Sequence, residues 1–309
     1  MHNAEALNQQ FASESGVHFV TLAPGFTTAE IRNKWGNACI SLYGAQLLSW
    51  QPEHQAMPVL WLSKKVQYFD GKAIRGGVPV CWPWFGAHPQ HAHAPAHGYA
   101  RVSLWEVVSL RTLTNGETEM TLELGDSKPA QLYGANGLHL SLRIRVGESL
   151  ELELTTINSG EREAVFSEGL HTYFQVSEIS DVQIHGLEGA QYADLLQGNL
   201  RCHQTGAISF DAELGRIFLN NSATCVIEDP GLHRRICIEK SGSLSTAVWN
   251  PWSATAAKMD DLGPQGWREM VCVESANALD NLVTLSAGKS HALTARYSVQ
   301  AIPSVDLNG

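Results

Sequence analysis

The sequence predicts an all-β protein, a large sandwich or barrel assembled from many short antiparallel strands. Three observations predict it: apolar and polar residues alternate with a period of two, the runs are short and end in Gly, Pro, Asn or Asp, and helical periodicity is nearly absent. Leu138-His-Leu-Ser-Leu-Arg-Ile-Arg-Val146 and Leu150-Glu-Leu-Glu-Leu-Thr-Thr-Ile157 each place apolar side chains on one face and polar ones on the other. Gly147-Glu148-Ser149 between them reads as a tight hairpin connection. Residues 120–124 repeat the pattern, and 17–22, 38–42, 105–110, 223–227, 236–238 and 293–299 read as further short strands. Only 28–35 and 194–197 are expected to hold a helical turn or two. With no repeat, low-complexity tract or linker in between, one domain over 1–309 is the economical division.

Bulk properties narrow the function. The 309 residues are 44% hydrophobic and 17% charged, an ordinary globular composition with ample core. A formal net charge of −10 argues against a nucleic-acid or anionic-membrane surface. It leaves room for a small anionic substrate, which responds to local arginines more than to distant, screened charges. No apolar run approaches the ~20 residues that span a bilayer. The first ten residues lack the basic and apolar regions of a signal peptide. The six cysteines are scattered with no Cys-x-x-Cys pair and mostly sit in strand-like runs, as reduced small hydrophobes would. A cytoplasmic protein, and a monomer, is expected.

Chemistry concentrates in Arg75-Gly-Gly-Val-Pro-Val-Cys-Trp-Pro-Trp-Phe-Gly86 and His97-Gly-Tyr-Ala-Arg101. Glycine lets backbone approach a ligand, tryptophan offers flat apolar faces, and arginine a planar fork for phosphate or carboxylate. Such a wall suits a cyclic sugar phosphate; the same residues also fit a structural loop with buried tryptophans. His171, in Phe166-Ser-Glu-Gly-Leu-His-Thr-Tyr-Phe-Gln-Val176, shares a strand face with Tyr173 and Gln175 and is a candidate proton carrier. Glu274 ends the apolar run Met270-Val-Cys-Val-Glu274, where a partly desolvated acid can serve as a base. Val248-Trp-Asn-Pro-Trp252, with Trp249, supplies material for an opposite wall. His88, His91 and His93 lie in a Pro/Ala loop that lacks the rigid framework of a metal site. Asp260-Asp261 and Glu228-Asp229 point to opposite faces if extended, unlike a glycosidase pair. Walker, Rossmann and Gly-x-Ser-x-Gly motifs are absent from the sequence.

Taken together, Arg75-Gly-Gly-Val-Pro, Trp82-Pro-Trp-Phe-Gly86, His97-Gly-Tyr-Ala-Arg101, Leu170-His-Thr-Tyr-Phe174, Val248-Trp-Asn-Pro-Trp252 and Val271-Cys-Val-Glu274 resemble the hexose-6-phosphate mutarotases. These form a branch of the aldose 1-epimerase, or galactose mutarotase-like, superfamily. The resemblance runs in order from about residue 42 to 297. It implies a single-domain β-supersandwich with no metal or organic cofactor, a catalytic histidine at His171 and a catalytic glutamate at Glu274. It further implies phosphate-binding arginines at Arg75 and Arg101, substrate contacts at His97 and Trp249, and a hydroxyl-binding acid at Asp194. One departure is Ala96, where relatives carry Gln before the histidine matching His97. On this reading Glu274 takes the proton of the anomeric hydroxyl and protonated His171 gives one to the ring oxygen. The rivals are a sugar-phosphate binder without catalysis, an epimerase of free aldoses, and a cupin-like metalloenzyme using the loop histidines.

Overall fold

The long alternating runs become the backbone of an antiparallel sheet. In a computed structural model, which describes residues 3–302 except 12, 13, 15, 126 and 127, Leu138–Val146 and Leu150–Asn158 pair from Leu138↔Asn158 to Val146↔Leu150 across the three-residue turn. The ends of the expected domain, 1–2 and 303–309, lie outside the described residues. Leu140, Leu142, Ile144 and Val146 are buried, with Leu150, Leu152 and Leu154 beside them, while Ser141, Arg143 and Arg145 turn outward. Burying one such side chain fully contributes about 1.5–3 kcal/mol. Thr118–Leu124, Trp105–Thr112, Ser290–Ala301, Arg234–Ser241, Cys225–Asp229 and Gln183–His185 complete this eight-stranded sheet.

A second eight-stranded sheet faces it and carries the site. Its neighbours run Leu200–His203, Gln191–Asp194, Leu214–Phe218, Ser245–Asn250, Met270–Asn277, Glu168–Leu170 and Val80–Cys81, and Tyr173–Gln175 also pairs with Met270–Asn277. Val248, Val271, Val273 and Phe174 turn toward the first sheet and join one apolar core with Leu152, Leu154, Leu293, Ala295 and Tyr297. The Phe174 and Tyr297 rings meet edge to face at 5.2 Å, and the hydroxyls of Thr172 and Tyr297 lie 2.6 Å apart, so the sheets are fastened beneath the site. Every residue of Met270–Asn277 is buried, because loops cover the strand's other face.

Val17–Ala23, Phe26–Asn33, Gly36–Ser41 and Gln46–Pro52 form a four-stranded meander. This corrects the helical expectation for 28–35. Thr27, Thr28 and Ile31 are β-branched and buried, and strands on both sides supply ladder partners for the segment. The expectation for 194–197 agrees with a 3-10 turn at Leu195–Gln197. Short helices at Ala4–Gln10, Lys128–Leu132 and Trp252–Ala256 were not legible from periodicity. Among the described residues no helix is long and apolar enough to cross a membrane. All six cysteines are free thiols.

Candidate active site

His171 and Glu274 are brought together by strand register. Glu168–Leu170 pairs with Met270–Asn277 through Leu170↔Ser275, and the ladder resumes in the same register at Tyr173↔Cys272. Between those pairs the chain leaves regular strand, but His171 still stands opposite Glu274. The His171 amide donates to the Pro79 carbonyl at 3.0 Å, which holds the interrupted segment in place. His171 Nε2 lies 3.4 Å from Glu274 Oε1. The side chains are 10% and 3% exposed, and among the described residues neither His171 Nδ1 nor Glu274 Oε2 has a hydrogen-bond partner.

Alternation along the same strands chooses the neighbours. Cys272, two residues before Glu274, pairs with Tyr173 on one side and Trp249 on the other, so these side chains share the face of the pair. The Tyr173 ring stacks on His171 at 4.9 Å with 17° between planes, and Trp249 meets His171 edge-on at 6.2 Å. His97 also meets His171 edge to face, with ring centroids 5.3 Å apart.

The glycine-rich segments deliver the arginines and His97. Gly77 has φ +62, and a Cβ there would lie 2.1 Å from the Leu47 carbonyl oxygen, so only glycine lets Arg75 reach the sheet by this path. Gly98 has φ +79, and its Cβ would lie 1.9 Å from the Trp82 carbonyl oxygen. Arg75 donates from Nε and Nη2 to both oxygens of Asp261, each at 3.3 Å, and from Nη1 to the Tyr173 hydroxyl at 3.0 Å. Arg101 donates from Nη2 to the Ala96 carbonyl at 2.6 Å, while its buried Nε has no partner among the described residues. The residue that departs from the resemblance, Ala96, therefore serves Arg101 through its backbone.

Burial sets the protonation of these groups. It pushes the Glu274 carboxyl well above the usual carboxylate range, with Arg101 opposing in part. Burial first, then the neighbouring His97, Arg101 and Arg75, hold His171 well below the usual imidazole range. His97 is pushed down to about 3 by burial, then by Arg101 and Arg75, and is a neutral ring at physiological pH. Its Nδ1 accepts the Gly86 amide at 3.3 Å, so the ring proton resides on Nε2. Burial opposes the charge of Arg75, but Tyr173 and Asp261 outweigh it and hold the guanidinium above its ordinary value.

Asp194 is not joined to this cluster. It pairs in register with Arg216, which pairs with Val248, so by alternation it belongs to the face opposite Trp249. Its carboxylate caps the following turn, accepting from the Leu196 amide at 2.9 Å and from Gln197 Nε2 at 3.0 Å. Asp261, by contrast, was not expected to serve the site, and neither was Tyr173. The available signal was an acid inside the tryptophan-rich stretch 249–267, and a tyrosine two residues from His171 on the same strand face. Asp261 is 8% exposed whereas Asp260 faces water, and both lie in a turn and not in the extended chain that the sequence reading supposed.

Donor atoms of His171, Cys272 and Glu274 lie within 4.8 Å of one another. Burial raises the Cys272 thiol well above its ordinary value, so in these surroundings it is protonated. His88 Nδ1 accepts the Gln90 and His91 amides, and the His88 and His91 rings pack on Tyr133. A groove of about 840 Å³ lined by Trp84, His88, Tyr133 and Asn158 shares no residue with the acid–base pair.

Residues 27–298 match the aldose 1-epimerase family. The chain belongs to that family. It is 37% identical over 242 residues, 78% of this chain and 80% of the relative, to an Escherichia coli protein named "Putative glucose-6-phosphate 1-epimerase". A Cenchrus ciliaris protein of the same name is 32% identical over 284 residues, 88% of this chain and 84% of that protein. Among solved structures, a "putative mutarotase" from Salmonella typhimurium superposes with a TM-score of 0.83 at 30% identity, covering 96% of this chain and 99% of that one. The fold is thus the galactose mutarotase-like fold, and the chain is an aldose 1-epimerase family isomerase acting in carbohydrate metabolism.

Proposed function

We propose that this family member interconverts the α and β anomers of an aldohexose 6-phosphate, D-glucose 6-phosphate first among them. The observation that carries the reading is the His171–Glu274 pair at 3.4 Å, each partner with an unpartnered polar atom, beside two arginines. Mutarotation takes a proton from the anomeric hydroxyl O1 and gives one to the ring oxygen O5, which opens the C1–O5 bond. Rotation about C1–C2 and return of both protons closes the other anomer. Two groups that share one proton can do this, each contributing roughly 10²–10⁴-fold.

Within the protein's own surroundings, burial favours the neutral pair, with the proton on Glu274. The reactive form, carboxylate at O1 and imidazolium at O5, has the same proton count. A phosphate dianion beside Arg75 and Arg101 offsets the two guanidinium charges that hold His171 down, which eases protonation of His171, while offsetting Arg101 also removes the one charge that favours the Glu274 carboxylate. Neutral His97 offers its Nε2–H to a sugar oxygen, and Trp249 gives an apolar edge for the ring. Asp194 spends one lone pair of each oxygen on its cap contacts and could accept a substrate hydroxyl only on the sheet face opposite Trp249.

One observation favours a second reading, an epimerase of free aldoses. Arg75 is already held by Asp261, as a purely structural arginine would be. Polarimetric relaxation of freshly dissolved α-D-glucose 6-phosphate and α-D-glucose, with catalytic amounts of protein, separates the readings. Faster relaxation of the phosphate supports the proposal. Equal acceleration favours the free-sugar enzyme, and none at all favours a binding protein.

A further inference from the structure

A guanidinium has five N–H donors. In Arg75 three are spent inside the protein, two on Asp261 and one on the Tyr173 hydroxyl. One N–H remains on each terminal nitrogen, the number needed to meet two phosphate oxygens side by side. The clamp is itself anchored. The Ser63 amide donates to the Arg75 carbonyl at 3.1 Å, and its hydroxyl donates to the Asp261 carbonyl at 2.5 Å, so the two chain segments are fixed through one residue. Tyr173 continues the connection. Its hydroxyl accepts from Arg75, and its ring stacks on His171 at 4.9 Å and on Trp61 at 5.9 Å.

We propose that Asp261 is a positioning residue for the phosphate subsite, holding Arg75 through one edge so that its two remaining N–H groups are presented to the 6-phosphate, with Tyr173 tying that geometry to His171. The proposal rests on the phosphate reading above. A flexible arginine would have to give up its side-chain freedom when substrate arrives; one already clamped does not, and preorganisation of this kind improves binding. The opposing effect is charge, since Asp261 repels a dianion. The two effects predict opposite signs. If positioning governs, removing the carboxylate weakens recognition of the phosphate; if repulsion governs, it strengthens it.

The test compares Asp261→Asn and Tyr173→Phe with wild type, using glucose 6-phosphate and glucose as substrates. With positioning dominant, Asp261→Asn raises KM for glucose 6-phosphate and lowers the ratio of kcat/KM between the two sugars about tenfold, the scale of one weakened charge-assisted hydrogen bond. Tyr173→Phe keeps the ring on His171 and lowers the ratio by a smaller factor, about threefold. A merely structural ion pair would lower the melting temperature and reduce both activities in proportion, leaving the ratio unchanged. An unchanged ratio, or a lower KM for glucose 6-phosphate in Asp261→Asn, overturns the proposal. If Asp261→Asn does not fold, Tyr173→Phe carries the decision. A wild-type protein that fails to distinguish the sugars overturns the phosphate reading itself. A wild-type protein that distinguishes them, with variants that do so equally well, overturns only the role of Asp261.

Discussion

Two clusters of charge in this molecule are built to opposite ends. On the outer face of the first sheet, Glu119 is 3% exposed and receives Arg111 on one oxygen and Arg143 and Arg145 on the other. Arg143 also reaches Glu151 and Glu153. Every charge there has a protein partner. On the second sheet His171 and Glu274 are as deeply buried, but each keeps a polar atom that no described residue satisfies, and Arg101 keeps its Nε. An unmade buried hydrogen bond costs roughly 1–3 kcal/mol. A cluster that keeps several of them is organised for something other than stability. The titrations diverge for the same reason. The arginine hydrogen bonds hold Glu119 below the usual carboxylate range despite its burial, whereas burial drives Glu274 well above it.

Substitutions should separate the clusters, and the largest effect belongs to the site. His171→Asn removes one proton-transfer group and should cost about 10²–10⁴-fold in kcat, with the melting temperature preserved. Magnetisation transfer between the anomeric proton signals measures the rate, and exchange within a few-fold of wild type would remove His171 from the mechanism.

Arg101→Ala comes next. Loss of a charge-assisted contact should lower kcat/KM toward glucose 6-phosphate about 10- to 100-fold, with much less change toward glucose. Thermal unfolding with and without glucose 6-phosphate adds an independent reading, because a ligand-contact variant loses protection by ligand and keeps its unliganded melting temperature.

The pH profile is a gentler discriminator. Activity requires one proton on the pair. Lowering the His171 pKa delays uptake of a second proton to lower pH, and raising that of Glu274 delays loss of the last one to higher pH. Both shifts widen the active window. kcat/KM should therefore hold level through neutrality, falling at acid pH below the ordinary histidine value of about 6.5 and again on the alkaline side. Glucose is the cleaner substrate for this measurement, having no phosphate to titrate. A limb centred near 6.5 would contradict the burial argument.

The smallest effect lies on the outer face. Glu119→Gln should lower the melting temperature by a few degrees, on the scale of about 2–4 °C per kcal/mol, and leave anomer exchange untouched. Glu119 has a depressed folded-state pKa, so its stabilisation is fully present above the unfolded value of about 4.3 and disappears as pH falls through the folded one. The difference between wild type and variant should close in acid. A difference that grows on acidification would break the contrast between the clusters.

Local sequence carried some of this and not the rest. The strands at Leu138–Val146 and Leu150–Asn158 were legible because period-two alternation is a local signal and one face meets water. The strand at Phe26–Asn33 was misread as helical because its ladder partners, not its own pattern, decide its state. His171, Glu274, Arg75, Arg101 and Trp249 stood out through motif chemistry. Their meeting depends on a register between segments about a hundred residues apart, which no window of sequence contains. The role of Asp261 was not legible for the same reason, its partner being 186 residues away. Asp194 stood out as an acid, yet an acid just before a short helix is as often a cap, and here it caps.

The central claim is that the buried carboxylate opposite His171 is kept for proton transfer and not for stability. Anomer exchange of glucose 6-phosphate by Glu274→Gln, paired with its unliganded melting temperature, tests it most directly. The account predicts a loss of about 10²–10⁴-fold in exchange with a melting temperature equal to or above that of wild type. Near-normal exchange together with a lowered melting temperature would contradict it and make Glu274 a structural residue.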